Sequence, residues 1–357
     1  MKMAYYEKLQ KQGYYIIAEI GVNYYEIAEK YKISVLDAAK LMMKEAKEAG
    51  ADAAKFQTYK AETLTMVDSP GSWDRNDITV DTMYELFKMY DHFDEEDYIK
   101  LAEYAKEIDI DFMSTPFDME AVDYLEPLME VYKISSSDIS NIPLLQCVAA
   151  KNKPIILSVG ASDLEEIIRA VNVIRKVNSQ RLSLLHCVLE YPTPYEHANL
   201  RKIVALKEKF PDIIVGYSDH TKPDEEMLVL KTAYLMGAQV IEKHFTLDKS
   251  IKKKNDHFHS MDCNDLKKLK DGLTFIRSIE GEGTLHCLES ELKTRGSVRR
   301  SAVSACSIKA GEIFTEDMLI LKRPGNGLTY EEISKYFGKK VIKDIPKDIL
   351  LKSENFE

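Results

Sequence analysis

The chain has 357 residues, 45% of them hydrophobic, which suffices for one large domain with a sizeable core and a second, smaller one. The net charge of −10 excludes a generally basic surface for nucleic acid or an anionic membrane, and no apolar run approaches the roughly 20 residues that span a bilayer. Residues 1–10 lack an apolar signal core and the five cysteines are scattered, so we expect a cytoplasmic protein without disulfides or a zinc knuckle.

Eight short β-branched runs alternate with amphipathic stretches of helical period. The predicted strands are residues 16–20, 53–56, 110–114, 131–134, 154–158, 182–186, 213–216 and 239–242. The predicted helices include 35–49, 95–108, 163–177, 200–210, 225–236 and 264–279. An eightfold alternation over about 280 residues is typical of a (β/α)8 TIM barrel, an α/β fold. A doubly wound open sheet is the alternative, but no GxGxxG or GxxxxGK[ST] motif follows any strand.

The chain changes character after residue 283. The polar residues 284–297 are predicted as a linker between a barrel domain, 1–283, and an accessory domain, 298–357. The accessory segment combines short strand-like pieces with glycine-containing turns, which favours a small β-rich fold. Because so short a segment cannot build a large core, we expect it to dock on another surface. Within the barrel, the long loop at 65–80 is predicted to be an active-site lid.

Polar or ionisable side chains stand at the end of nearly every predicted strand. They include Glu19, Lys55, Gln57, Ser114, Lys133, Ser136, Ser158, Tyr191, Ser218, His220, Glu242 and His244. In a TIM barrel the catalytic groups lie where strands end and loops begin, on the C-terminal face. These side chains are therefore expected to share one mouth.

Two lysines, Lys55 and Lys133, each end an apolar strand. Together with the serine hydroxyls they would suit a small, multiply charged anion, the lysines as point charges and the hydroxyls as donors. A solvated lysine at a strand end is the alternative without a function. A Schiff-base aldolase lysine is the alternative with one, because a desolvated amine is nucleophilic.

Two histidines, His220 and His244, end the last two predicted strands, with Asp219, Glu242 and Asp256 nearby in sequence. Imidazole with carboxylate and water suits a divalent ion such as Mn²⁺, acting as a Lewis acid on a carbonyl oxygen. A hydrogen-bonded core histidine is the alternative for each. Residues 255–260, Asn-Asp-His-Phe-His-Ser, would add a ligand or grip a hydroxylated substrate, or are simply a polar loop.

A longer set of motifs, in order along the chain, resembles one family. The motifs include Ile-Ala-Glu-Ile-Gly-Val-Asn at 17–23, Asp-Ala-Ala-Lys-Phe-Gln at 52–57, Ser-Thr-Pro-Phe-Asp at 114–118, Tyr-Lys-Ile-Ser-Ser at 132–136, Gly-Tyr-Ser-Asp-His-Thr at 216–221 and Glu-Lys-His-Phe-Thr-Leu-Asp at 242–248. They resemble the sialic acid (N-acetylneuraminate) synthases, which condense phosphoenolpyruvate with an N-acylated amino sugar. Residues 299–325 resemble the antifreeze-like SAF domain of the same enzymes.

The resemblance implies a role for each matching residue. Phosphoenolpyruvate would be held by Lys55, Lys133, Ser136, Ser158 and Ser218. A divalent ion, Mn²⁺ with Mg²⁺ or Co²⁺ as alternatives, would be held by His220 and His244. The amino sugar would be bound by Glu19, Gln57, Tyr191 and Asp256, with Arg300 reaching in from the partner subunit of a domain-swapped homodimer, and Ser114 and Asp138 are further substrate-binding candidates. The implied catalytic residues are Glu19, Lys55, Lys133, His220 and His244.

Three positions depart from the family pattern, all on the presumed sugar side. They are Tyr24 and Tyr25 where many relatives have His-Asn-Gly, Leu189 where many have a polar residue, and Asp138 where some have glutamate. N-acetylmannosamine, giving N-acetylneuraminate, is the simplest acceptor, and legionaminic, pseudaminic and spore-coat precursors are alternatives because one or two pocket residues decide between them. A carbohydrate-binding scaffold without turnover is the non-enzymatic alternative.

Overall fold

The computed structural model describes residues 5–71, 80–251 and 256–357. The chain divides into two compact units, residues 1–281 and 282–357. Among the described residues, no helix combines the length and the apolar composition needed to cross a bilayer.

The first unit is built around eight parallel strands. They are β1 (Tyr15–Gly21), β2 (Ala53–Thr58), β3 (Asp111–Pro116), β4 (Tyr132–Ile134), β5 (Ile155–Ser158), β6 (Leu182–His186), β7 (Ile214–Asp219) and β8 (Val240–His244). Hydrogen bonds join them in the order β3-β2-β1-β8-β7-β6-β5-β4, and the two strands at the ends of this order lie side by side. The predicted α/β TIM-barrel fold is confirmed.

The strands are buried on both faces, which explains why the sequence shows them as short continuous apolar runs. Every residue of β1, β6 and β8 is buried. The register pairs Glu19 with Lys55 on one side and with His244 on the other. Parallel register therefore brings the polar ends of neighbouring strands level with one another.

Helices surround the strands. They are α1 (Tyr5–Gln12), α2 (Tyr24–Tyr31), α3 (Val35–Ala49), α4 (Ala61–Leu64), α5 (Met83–Lys88), α6 (Glu95–Glu107), α7 (Met119–Leu125), α8 (Ile142–Ala150), α9 (Leu164–Arg175), α10 (Arg201–Lys209), α11 (Leu228–Leu235) and α12 (Cys263–Glu280). Side-chain caps fix several starts, because Ser34, Asp94 and Asp262 accept hydrogen bonds from backbone N–H groups of the first turn. Residues 72–79 of the predicted lid loop lie outside the described residues.

Helix α1 lies against the N-terminal end of the barrel, opposite the polar strand ends. Its Tyr5 and Leu9 are buried in one apolar cluster with barrel residues such as Ile17 and Leu185. The Tyr5 hydroxyl lies 3.1 Å from Ser183 Oγ, which ties the helix to β6. In the described chain this end of the barrel is thus filled by side chains.

The second unit holds a small antiparallel pair, β9 (Ser301–Ser304) and β10 (Leu319–Lys322), with helices α13 (Leu292–Val298) and α14 (Tyr330–Ile333). Its core consists of eight buried side chains: Ala302, Ile308, Phe314, Ile333, Val341, Ile345, Leu351 and Phe356. The small β-rich fold predicted for this region is confirmed. The segment 284–297, predicted as a linker, contains a 3-10 helix at Glu289–Glu291 and most of α13.

Candidate active site

Successive side chains of a strand point alternately into the barrel and towards its helices. On β8, Val240 lies in the apolar cluster at the bottom of the barrel, while Glu242 and His244, two and four residues further, line a pocket at the C-terminal end. The same step from apolar to polar occurs on β1 between Ile17 and Glu19. The pocket contains about 400 Å³ of space free of protein atoms, part of which is open to solvent.

Most of the predicted site residues meet in this pocket. Its lining includes Glu19, Lys55, Gln57, Lys133, Ser136, Ser158, Tyr191, Ser218, His220 and His244. The lining thus brings together side chains from both halves of the barrel, as the shared mouth of the strand ends requires.

Four buried charges of alternating sign occupy one part of the pocket. Lys55 Nζ forms an ion pair with Glu19 and lies 3.7 Å from Glu242 Oε2. Lys133 Nζ lies 3.6 Å from Glu242 Oε1, so that Glu242 stands between the two lysines. Gln57 Nε2 donates to Glu19 Oε1 at 3.0 Å and holds that carboxyl in place. We call these four residues, Glu19, Lys55, Glu242 and Lys133, the charged quartet.

Burial and pairing act differently on each member of the charged quartet. Burial raises the pKa of Glu19 to about 7, although Lys55 beside it acts in the opposite direction. For Glu242, burial would raise the pKa, but the two lysines prevail and hold it below its usual value. Burial lowers the pKa of Lys133, whereas for Lys55 the two carboxylates outweigh burial and raise the pKa. Near neutral pH, Glu19 is the member that exchanges a proton most readily.

Serine hydroxyls border the charged quartet. Ser158 Oγ accepts a hydrogen bond from Lys133 Nζ at 2.8 Å, so its own hydrogen is available to a ligand. Ser218 Oγ donates to Glu242 Oε1 at 2.9 Å. Ser136 lies beneath Gly160, where an added Cβ would stand 3.2 Å from Ser136 Oγ and 2.5 Å from Cys187 Sγ. Only glycine leaves room there for both side chains.

The opposite part of the pocket is lined by histidines. His220 Nδ1 lies 2.6 Å from the carbonyl oxygen of Val188, and because a carbonyl only accepts, this nitrogen carries the hydrogen. The tautomer leaves Nε2 with a lone pair for a ligand. Burial lowers the pKa of His220 to about 4, so the ring is neutral at physiological pH. Tyr191 covers this ring, with centroids 4.2 Å apart.

A group of three side chains could hold a metal ion at this histidine side. It consists of His244, Asp256 and His259, each offering one ligand atom within 4.8 Å of the others. His244 comes from the end of β8, and the other two come from a 3-10 helix at Asp256–His259. The ring of His220 lies further away, 5.8 Å from that of His244 between centroids.

Two predicted site residues of the first unit, Ser114 and Asp138, belong neither to the pocket lining nor to the metal group. Ser114 has the wrong strand parity and faces away from the pocket, where its Oγ lies 2.5 Å from Thr58 Oγ1. Asp138 sits on the 3-10 turn after β4 and accepts from Asn141 Nδ2 at 3.3 Å. Arg300 belongs to the second unit and is exposed. Ser114 was predicted from its place at a strand end without regard to the alternation of side chains, and Asp138 was predicted from the resemblance to the family.

The pocket also contains Thr115, Phe117 and Cys187, which were not predicted there, and Glu242, which was expected at the shared mouth without a contact to the lysines. Glu242 links both lysines, and Thr115 and Cys187 line the wall with Phe117. Counting by two from Met113 on β3 finds Thr115 and Phe117, and counting by two from Leu185 on β6 finds Cys187. His259 lies in the segment singled out as a source of a further ligand, but nothing in the sequence distinguished it from His257.

Two protein-family models match the chain. Residues 42–284 match the model of the NeuB family, and residues 299–357 match that of the SAF domain. The chain belongs to the NeuB family. The membership predicted from the motifs is thereby confirmed.

Relatives with different products resemble the chain over nearly its whole length. It is 38% identical to an N,N'-diacetyllegionaminic acid synthase of Legionella pneumophila, over 96% of this chain and 94% of that protein. It is 34% identical to a pseudaminic acid synthase of Campylobacter jejuni, over 96% of each chain. The solved structure of a sialic acid synthetase from Leptospira borgpetersenii, in complex with citrate, matches at 33% identity with a TM-score of 0.66, covering 79% of this chain and 90% of that one.

Proposed function

We propose that this NeuB-family protein condenses phosphoenolpyruvate with an N-acylated amino sugar to give a nine-carbon sugar acid and inorganic phosphate. One observation carries the proposal. A single pocket is lined by two buried lysines with serine hydroxyls on one side and by His220 and His244 on the other, and His244 is grouped with Asp256 and His259. The first side suits a multiply charged anion and the second a divalent ion, and the reaction needs both within reach of one another.

The anion side would bind phosphoenolpyruvate. Lys55 and Lys133 supply the positive charge, and Ser136, Ser158 and Ser218 supply hydroxyl donors for phosphate and carboxylate oxygens. With all four members ionised, the charged quartet is neutral. Because Glu19 has a pKa of about 7, it can take up a proton when an anion approaches, and the quartet then carries a net positive charge. Citrate in the Leptospira relative is likewise a multiply charged carboxylate.

The histidine side fits a divalent ion. The Nδ1 atom of His244 is buried and makes no hydrogen bond within the protein, and the tautomer of His220 leaves its Nε2 available. A buried nitrogen without a partner is costly unless a ligand satisfies it. We propose Mn²⁺, with Mg²⁺ or Co²⁺ as alternatives, since imidazole with carboxylate suits such ions. When bound, the ion would act as a Lewis acid on the aldehyde oxygen of the open-chain sugar.

The protein's own residues would then organise the bond changes. The quartet orients phosphoenolpyruvate so that its carbon 3 forms the new C–C bond with the aldehyde carbon, whose oxygen takes up a proton. Water adds to the resulting cation at carbon 2 and loses one proton. The bond from carbon 2 to the phosphate oxygen then breaks, the remaining hydroxyl proton passes to the leaving phosphate, and the ketone is left. Glu19 is placed to give or accept a proton in these steps, because its pKa lies near neutral pH.

The amino sugar would lie nearer the mouth, in contact with Gln57, Tyr191 and Asp256, and would reach Glu19 at its inner end. The sequence leaves the acceptor open between N-acetylmannosamine and a sugar with a second acetamido group, which the legionaminic acid product of one relative requires. Tyr24, Tyr25 and Leu189 depart from the family pattern on the presumed sugar side, and we propose that they help to decide which sugar is accepted. Leu189 is 40% exposed, and Tyr24 is buried.

The deciding assay supplies phosphoenolpyruvate, Mn²⁺ and a panel of N-acylated mannosamine-type sugars, and follows phosphate release together with product mass. We expect one sugar to give one phosphate for each product molecule, and a product heavier than the sugar by the mass of pyruvic acid. Binding of Mn²⁺ and phosphoenolpyruvate without phosphate release for any sugar would contradict the proposal and favour a carbohydrate-binding scaffold.

A Schiff-base aldolase is the second candidate, and one observation favours it. Burial lowers the pKa of Lys133, as expected for a nucleophilic amine. Its Nζ nevertheless donates to Ile134 O at 3.2 Å and to Ser158 Oγ at 2.8 Å, which holds it as a charged donor. Borohydride reduction in the presence of substrate would trap the lysine as a covalent adduct only in the aldolase, and mass spectrometry of the tryptic peptides reads the result.

We also propose that the active form is a domain-swapped homodimer, in which the second unit of one subunit closes the pocket of the other through Arg300. Two observations support the proposal: the second unit has a core of only eight buried side chains, and Arg300 is exposed at its start. We keep the domain bounds predicted from the sequence as a proposal, with residues 284–297 as the linker and residues 298–357 as the SAF domain.

A further inference from the structure

We propose that Asp256 and His259 join His244 as protein ligands of one divalent cation, and that Asn23 positions them. The inference deepens the proposed function, because it concerns the ion at the same pocket. The family resemblance assigns the ion to His220 and His244 and assigns Asp256 to the sugar, so the two assignments predict different outcomes for the same substitutions.

The distances between the candidate ligand atoms fit one ion. Asp256 Oδ2 lies 3.4 Å from His244 Nδ1, and Asp256 Oδ1 lies 3.8 Å from His259 Nε2. Two ligand atoms at right angles on an ion with bonds of about 2.1 Å are about 3 Å apart. The three side chains therefore need to approach by less than an ångström for each of these two pairs, which a bound cation would accomplish by neutralising the carboxylate.

The ring positions favour His259 as the second imidazole. The centroids of His244 and His259 are 4.9 Å apart, whereas His220 lies 5.8 Å from His244 and 6.3 Å from His259. Two imidazoles bound at roughly 90–110° to one ion, each by a bond of about 2.1 Å, have centroids about 5 Å apart. The centroid distance of the pair from β8 and the following 3-10 helix meets this requirement, and the remaining adjustment is the approach of the ligand atoms to the ion.

The donor set and its exposure suit a working metal centre rather than a closed structural one. Two imidazoles and one carboxylate suit borderline ions such as Mn²⁺, Fe²⁺ or Co²⁺ and leave several positions for water or substrate. His259 is fully buried and His244 is 7% exposed, while the Asp256 side chain is 34% exposed. Access thus comes from the Asp256 side, and Tyr191, whose ring is 5.7 Å from that of His259, borders it.

The short helix that carries Asp256 and His259 is held by a buried network. Asn23 Oδ1 accepts from the backbone N–H of Asp256 at 3.2 Å, and Asn23 Nδ2 donates to Phe245 O at 3.0 Å and Ser260 Oγ at 3.3 Å. Ser260 Oγ in turn donates to Asp256 O at 2.6 Å. One buried amide therefore ties both ends of the 3-10 turn to the strand end that carries His244, which is the arrangement expected of a support for metal ligands.

The test measures Mn²⁺ binding to the full-length protein without either substrate, by the electron paramagnetic resonance signal of free Mn²⁺ and by calorimetry. We expect His259→Ala and Asp256→Asn each to weaken Mn²⁺ affinity at least about 10-fold. His186→Gln serves as the matched control, because His186 is another buried strand-end histidine, bonded to Ala198 O at 2.8 Å, and should leave affinity unchanged. If only His220→Ala and His244→Ala weaken binding, the inference is overturned.

A second variant guards against loss of folding. His259→Cys replaces the imidazole by a thiol that can also bind Co²⁺. We expect the Co²⁺-loaded variant to show a near-ultraviolet thiolate-to-cobalt charge-transfer band that wild-type protein, with its five native cysteines, does not show. A correctly folded variant that binds Co²⁺ without this band would exclude position 259 from the metal.

A separate variant tests the role of Asn23. Asn23→Leu keeps the side-chain volume and removes all three polar contacts of the amide, and we expect it to weaken Mn²⁺ affinity about 10-fold. If the variant loses thermal stability without metal but binds Mn²⁺ like wild type, Asn23 is a structural residue only. Since no step of these measurements involves turnover, failure of the proposed synthase reaction would leave them unaffected, and the two failures can be told apart.

Discussion

At the scale of single residues, the charged quartet is the costly feature of the molecule. Four ionisable side chains that are each at most 5% exposed lose their hydration, and the attraction between them seldom more than offsets that loss. A well-packed apolar set would stabilise the fold as well or better. The quartet is therefore best understood as a binding device, in which Glu242 keeps the two lysines charged and close while no anion is present.

Glu19 makes the stability of the protein depend on pH. Its pKa is about 7 in the folded chain against 4.5 in the unfolded one, so the folded state binds the proton more tightly. The stabilising contribution is complete below pH 4.5 and is lost as pH rises through 7. We expect the free energy of unfolding of wild type, relative to Glu19→Gln, to fall by about 3 kcal/mol across this window.

Urea unfolding of both proteins at pH 4.5 to 8 measures this difference. Glu62→Gln is a suitable control, since Glu62 is an exposed glutamate paired with Lys88 at 2.7 Å. A difference between wild type and Glu19→Gln that stays constant over the whole range would show that the Glu19 carboxyl keeps an ordinary pKa.

Much of the pocket could be predicted from residue types at strand ends, because a TIM barrel always gathers them at one face. Lys55, Lys133 and His244 meet there for this reason. The pairing of Glu242 with both lysines could not be predicted, since it depends on barrel closure placing β8 between β1 and β7 and opposite β4. The convergence of His259 on His244 likewise depends on how one short turn folds back over its strand.

At the scale of elements, the close contact of β7 with β8 leaves no room for a side chain at position 216. Gly216 lies opposite Val240, and an added Cβ would stand 2.9 Å from Val240 Cβ and 3.1 Å from Leu185 Cδ1, with the Val240 carbonyl oxygen closer still. On the outer face of the same strands, Lys243 Nζ bonds Asp219 Oδ2 at 2.6 Å and Thr221 O at 2.7 Å. The close approach and the buried ion pair together set the spacing between the ends that carry His220 and His244.

We expect Gly216→Ala to lower the free energy of unfolding by about 1–3 kcal/mol, because the methyl group must push apart two paired strands. It should also weaken Mn²⁺ binding by displacing the strand end that carries His244. Gly296→Ala is the matched control: an added Cβ there meets nothing within 4 Å, and the residue lies within α13. Denaturant unfolding with the same metal titration checks both variants, and equal stability of the two would refute the close-approach argument.

The strands and the longer helices were predicted because their apolar periodicity is local information. Helix α1 was not predicted. It has eight residues and would be marginal in isolation, and what orders it is the burial of Tyr5 and Leu9 against the barrel. No element was predicted for residues 24–31, and helix α2 was missed for the same reason.

At the scale of the whole molecule, the proposed swapped dimer allows a complementation test. Lys133→Met would inactivate the barrel of one subunit, and Arg300→Ala would remove the contribution of the second unit of another. If the second unit acts on the partner's pocket, mixing the two inactive proteins with subunit exchange should restore about a quarter of the wild-type sites. Phosphate release after mixing measures this, and sedimentation confirms dimers. Two inactive proteins that stay inactive although they exchange subunits would rule out action across the dimer.

Helix α1 fills the N-terminal end of the barrel, and this bears on the order in which the substrates bind. Since side chains fill that end in the described chain, substrates and products must enter and leave the pocket by the mouth at the strand ends. Apart from Glu19, the residues proposed for the sugar are more exposed than the charged quartet, so we expect the anion to enter first and the sugar to follow. Initial-rate patterns should then be those of a compulsory-order mechanism, and a dead-end sugar analogue should trap phosphoenolpyruvate beneath it rather than compete with it.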